Sequence, residues 1–157
     1  MTSRYARGTD VPIDRSEVEI KRTLSRYGAD DIVSGQSSRR GIAFVQFHYR
    51  DLPIEARIPI PSRDDPEFTE TPTGKERSAS SAMNEWEKAC RQRWRILLLL
   101  IKAKLEAIES GVASPEEELL GWILLPDGET VGRKFLPHVR SAVEGGKLPK
   151  LLIDGRG

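Results

Sequence analysis

Six basic residues and no acidic one lie between Lys88 and Lys104. At about 100° per residue, Lys88, Arg91, Arg95 and Lys102 share about 60° of a helix surface. Such a stripe can follow a phosphate backbone or grip an acidic partner. The spacings Glu87–Arg91 and Lys102–Glu106 equally suit a solvated face neutralised by its own i,i+4 pairs. A second basic feature is Ser37-Ser38-Arg39-Arg40-Gly41. Two hydroxyls, two guanidinium forks and a permissive glycine can hold a phosphate or a nucleotide. The same residue types build ordinary hairpin tips.

Catalysis has less to stand on. His48 falls in a strand-like run, and His138 lies beside Pro137. Neither has a second histidine or a carboxylate at metal-motif spacing. Cys90 sits on an apolar helical stripe and reads as a packing residue. Glu116, Glu117 and Glu118 suit a helix start, where negative charge meets the positive dipole end. Gly145-Gly146 follows a helix, whereas a phosphate-cradling loop precedes one. We expect no enzyme, no cofactor and no metal site.

These side chains must be positioned by elements of two periods. Residues 1–11 are polar and unpatterned, a loose tail. A helix follows, capped by Asp14 with Glu17 completing a capping box, carrying Ile20, Leu24 and Tyr27 on one face and stopped at Gly28. From Asp30 to Pro61 the period becomes two. Ile42–Tyr49 reads as one strand. Ile54, Ala56, Ile58 and Ile60 alternate with Pro53, Glu55, Arg57 and Pro59 in another, with one buried and one wet face. The prolines make this second strand an edge. Arg50-Asp51-Leu52 supplies the turn, and Ile32-Val33 a third short strand.

Residues 62–80 break the pattern, with two prolines and Phe68 as their one large apolar residue. A connection of this length exceeds the usual ~4–6 residues, so it reads as a polar tether or a functional loop.

Ser81–Ser110 then predicts one long helix closed by Gly111. Met83, Trp86, Cys90, Trp94, Leu97, Ile101, Leu105 and Ile108 step by three or four along one stripe. Thirty residues at ~1.5 Å each span about 45 Å, as long as a compact chain of this size is wide. Leu99 falls within the basic stripe, and Ile96 and Leu100 flank its far side. The midpoint is thus apolar nearly all round, which calls for burial on more than one side. A two-sided core and a subunit interface explain this equally well, and in a homo-oligomer Trp94 and Leu99 are the candidate contacts. Ser114-Pro115 starts a second helix, Asp127-Gly128 turns a small hairpin over 124–131, and Phe135, Val139 and Val143 mark a last helix begun or bent at Pro137. Leu148–Ile153 reads as an apolar tail docked on the body. The expected fold is α+β: an N-terminal helix and small antiparallel sheet over 12–61, then a long central helix with smaller helices over 81–157, both parts sharing one core.

Composition narrows the classes. Twenty-five bases against 24 acids leave a net charge of +1, which recruits neither nucleic acid nor an anionic membrane globally. One cysteine and two histidines exclude a disulfide framework and a four-ligand Cys/His zinc site. Ile96–Ile101 is far short of the ~20 apolar residues of a membrane span. With no apolar signal segment at the start, the expected address is the cytoplasm.

Arg93–Gly111, Pro115–Leu120, Leu125–Gly132 and Lys147-Leu148-Pro149 together resemble a family of short proteins, without assigned function, from tailed bacteriophages and prophages. The resemblance covers mainly Trp94–Leu151, with looser similarity over Val11–Pro61. It implies a phage or prophage origin and an intracellular role in infection, and transfers no catalytic residue. The expected function is a non-enzymatic binding protein directed at a host defence or regulatory system, inhibiting a protein or sequestering a nucleotide signal. The alternative is an accessory protein of phage DNA replication or recombination, gripping DNA with Arg39, Arg40 and the Lys88–Lys102 stripe.

Overall fold

A computed structural model describes residues 15–148. The expected tail over 1–11, the Asp14 cap and most of the Leu148–Ile153 segment lie outside the described residues. Helix α1 (Arg15–Arg26) leads into three strands, β1 (Asp30–Ser37), β2 (Ile42–Tyr49) and β3 (Leu52–Pro59). They form one antiparallel sheet in the order β1-β2-β3. A short helix α2 (Pro66–Thr69) precedes the long helix α3 (Ala79–Glu109). Helix α4 (Pro115–Leu119), a 3₁₀ turn over Leu120–Trp122 and α5 (Val131–Gly145) complete the chain. The α+β expectation is met.

Period-two patterning makes the sheet amphipathic. Ala43, Val45, Phe47 and Tyr49 of β2 and Ile54 and Ala56 of β3 share its core face and are buried. Ile20 and Leu24 of α1 pack there, with Trp86, Cys90, Trp94, Leu97, Ile101, Leu105 and Ile108 of α3. α3 is therefore the spine of a two-layer core. Ile60, just past β3, is buried as well, and Ile58, between Ala56 and Ile60, is only partly buried.

The face of β3 expected to be wet is not uniformly so. Glu55 is 4% exposed, paired with Arg57 and accepting a hydrogen bond from Gln46 Nε2 at 2.7 Å. A buried carboxylate persists where charge and donor are both supplied, and alternation alone does not show this. On the same outer face Phe44 lies over Gly35. A Cβ at Gly35 would meet the ring at 3.0 Å.

The β2–β3 turn is Arg50-Asp51, both with positive φ (45° and 64°), and Leu52 already belongs to β3. Two left-handed residues make the turn whose twist matches a hairpin, a place that favours Asn and Gly. Arg50 is anchored there from outside, by Glu109 at 3.4 Å and by the Tyr49 ring, 5.3 Å from its guanidinium carbon.

Residues 62–80 do not form a free tether. Phe68 on α2 is buried in the core, and a Glu70–Glu76 bridge with Arg77 Nε donating to the Glu70 carbonyl (3.0 Å) folds the remainder back. Ser78 caps α3, accepting from the Ser81 N–H at 3.2 Å, so the helix starts at Ala79, two residues before the sequence expectation. Pro137 lies inside α5, which Thr130 caps, so the helix does not begin there. α5 packs on the 3₁₀ turn by close backbone approach: a Cβ at Gly132 would lie 2.8 Å from the Gly121 carbonyl oxygen. None of its residues is fully buried.

Candidate binding surface on the long helix

The inward stripe of α3 is spent on the core, and this disposes of one candidate. Trp94 is 3% exposed, and its Nε1 donates to Gln36 Oε1 at 2.9 Å. It fixes β1 to the helix and has no surface left for another subunit. The sequence shows that Trp94 lies on an apolar stripe; the sheet decides what that stripe meets.

The outward side is different. Leu99 is 56% exposed, Ile96 51% and Leu100 40%. They form three adjacent apolar side chains on a helix whose other large aliphatic residues are buried.

The cations beside them are largely engaged. Lys102 reaches Glu19 of α1, and the contact holds the Glu19 carboxyl below its ordinary range, chiefly through the Lys102 hydrogen bond. Lys88 lies 3.6 Å from Glu85, and Arg91 lies 3.9 Å from Glu87. Lys104 donates to the Glu118 carbonyl and carboxylate at 3.0 and 3.1 Å, closing the gap to α4. Arg95 has no ion pair or hydrogen bond among the described residues. The expected Lys102–Glu106 pair does not form: Lys102 turns to Glu19, and Glu106 accepts from the Tyr27 hydroxyl at 2.8 Å.

Arg39 and Arg40 stand at the exposed tip of the β1–β2 hairpin. Ser37 Oγ accepts from the Arg40 N–H at 3.2 Å, and Gly41 closes the turn at φ +64°. This is hairpin chemistry, and Gln36, just before the tip, ties the hairpin to the middle of α3. Cys90 is buried, and desolvation pushes its thiol up to about 11, against the opposing pull of Arg63. It is therefore no nucleophile at neutral pH.

One convergence escapes the sequence reading. Asp30, Asp31 and His48 each place a ligand-type atom within 4.8 Å of the others, with His48 Nδ1 3.5 Å from Asp31 Oδ2. The cause is a bulge. Between the pairs Asp30–His48 and Val33–Gln46, β1 has one residue more than β2, and Asp31 takes φ +49°. Consecutive strand residues that ordinarily point to opposite faces are thereby turned together. Two carboxylates and an imidazole are donors a divalent ion accepts. All three are exposed, and the Asp31–His48 contact accounts for their proximity. The register that creates the extra residue is a property of the paired strands, so the sequence holds no signal for it.

No helix among the described residues is long and apolar enough to cross a membrane. No protein-family description, curated protein or solved structure matches this chain.

Proposed function

We propose that this chain is a non-enzymatic binding protein whose working surface is the outer side of α3. One observation carries this reading: Ile96, Leu99 and Leu100 are exposed together in the middle of the longest helix, beside cations already committed to the protein's own carboxylates. Exposed apolar side chains clustered in this way mark protein contact. Taken with the resemblance to phage and prophage proteins, the reading is of an intracellular phage protein that holds a component of a host defence or regulatory system. Capture of a nucleotide signal at the Arg39-Arg40 tip is the second form of the same reading, supported by two exposed arginines side by side within the turn from Ser38 to Gly41.

DNA binding is the weaker alternative. A phosphate would have to displace Glu19, Glu85 and Glu87 from Lys102, Lys88 and Arg91, leaving Arg95 as the cation of that stripe ready to serve. Recovery from infected-host lysate, with and without nuclease, tests the choice. A nuclease-resistant host protein, released by Leu99→Asp, is the expected result. Retention of DNA that falls steeply with salt and is lost in Arg91→Glu/Arg95→Glu would overturn it.

A further inference from the structure

We infer that the outer strip of α3 docks on the same strip of a second copy, antiparallel, about a two-fold axis between Leu100 and Ile101. This rests on the reading that the strip is a protein-docking surface, and it names the occupant.

The strip has a defined shape. At about 100° per residue, Ile96, Leu100, Ala103 and Ala107 fall within about 60° of one another, with Leu99 alongside. Large side chains occupy its N-terminal part and alanines its C-terminal part, and Ala103 is exposed. Neighbouring elements bound it and leave it open from Ile96 onward: α1 flanks one side through Lys102–Glu19, α4 the other through Lys104–Glu118, and α2 lies over the same face further N-terminal, by Ala89 and Gln92. A parallel partner would set bulk against bulk and leave a gap at the alanines. An antiparallel partner sets Ile96 of each copy between Ala103 and Ala107 of the other, with Leu100 meeting Leu100 on the axis. This is knob-into-hole complementarity.

Charge selects the same register independently. In an antiparallel pair, a residue on one flank of the strip faces the same flank of its partner. Arg95 and Glu106 lie on one flank, about 20° apart around the helix. Alignment about the Leu100–Ile101 midpoint brings Arg95 of each copy to Glu106 of the other. Arg95 has no ion pair or hydrogen bond among the described residues, and Glu106 uses one oxygen for Tyr27. Size and charge thus agree on one centre, and symmetry forms each contact twice.

Light scattering with three variants tests the inference. The wild-type chain is expected at twice its 17.6 kDa mass at micromolar concentration, and Leu100→Asp at the single mass. Arg95→Glu is expected to weaken association, and Arg95→Glu with Glu106→Arg to restore it. Mild oxidation of Leu100→Cys is expected to give a disulfide-linked dimer. Lys88→Cys is expected to give none, because its two copies would stand more than ~30 Å apart. A wild-type monomer, a dimer indifferent to Leu100→Asp, or a charge swap that fails to restore association would each overturn the inference. A monomer that still retains a host protein, lost on Leu99→Asp, overturns self-association while leaving the proposed function standing. A Leu100-dependent dimer that retains no host protein does the reverse.

Discussion

The two sides of α3 have nearly the same aliphatic residues and opposite fates. Leu97, Leu98 and Ile101 are buried, while Ile96, Leu99 and Leu100 of the same two turns face solvent. The intrinsic chemistry of leucine does not separate them. What separates them is which direction the three-stranded sheet and α1 occupy. The inner side is matched by Val45, Phe47, Ile54 and Ile20, and the outer side is matched by nothing among the described residues. A side chain on the inner stripe therefore supports the fold, and one on the outer strip is exposed and open to the proposed association.

Substitutions should divide accordingly. Trp86→Ala removes a fully buried indole, its 2.9 Å hydrogen bond to the Pro61 carbonyl and the surface on which Arg63 stacks at 4.4 Å. A loss of about 3–5 kcal/mol in denaturant unfolding is expected, enough to leave little folded protein. Leu97→Ala should cost about 2–5 kcal/mol by the cavity it leaves. Leu99→Ser, two residues away, should change the unfolding free energy of the dissociated chain by no more than about 0.5 kcal/mol. Equal losses from the two leucines would end the distinction between the sides.

A second contrast sharpens the first. Glu55 is nearly as buried as the core yet sits on the outer sheet face, with Arg57 and Gln46 for company. Glu55→Ala strands the Arg57 guanidinium and should cost about 2–4 kcal/mol in thermal or chemical unfolding. Glu55→Gln, which keeps one acceptor, should cost less. If Glu55→Ala behaves as a surface substitution, the outer face is wet after all.

Cys90 offers a smaller effect with a defined sign. Burial raises its folded-state thiol to about 11 from an ordinary value of 9.0. The folded chain therefore holds its proton where the unfolded chain has lost it. This contribution is complete below pH ~9 and is lost as pH rises toward ~11. Thiol-reactive dye should leave Cys90 unmodified at neutral pH until unfolding, and Cys90→Ala should flatten the alkaline fall in stability. The smallest effects belong to exposed carboxylates. Lys102 and Lys134 hold Glu19 and Asp127 below their ordinary ranges, so both favour folding above those ranges and cease to as acid protonates them.

How much was legible follows the range of the interactions. Period and punctuation are local, so α1, the β2–β3 hairpin, the Ser114 cap and the inner stripe of α3, apart from Leu98, could be read from residue order. The segment 62–80 could not. Its lone large apolar residue, Phe68, is anchored by a core assembled from elsewhere, and a polar composition conceals that anchor. The basic stripe was legible as a spacing but not as a charge state, because Glu19, which engages Lys102, stands 83 residues away in sequence. Trp94 and Leu99 make the same point in opposite directions. Both lie on apolar-looking turns, and only the packed sheet sends one inside and leaves the other out.

The sequence by itself determined the period and order of the main elements, the Ser114 cap, and the near-neutral charge that leaves no global field. Each depends on neighbours within a turn or two, where backbone geometry and side-chain spacing act without reference to the rest of the chain. Tertiary structure alone decided which cations are committed, which leucines are exposed, and that a bulge gathers Asp30, Asp31 and His48. Those outcomes depend on surfaces that meet only after the chain has folded, and contact across dozens of residues leaves no periodic trace in their order.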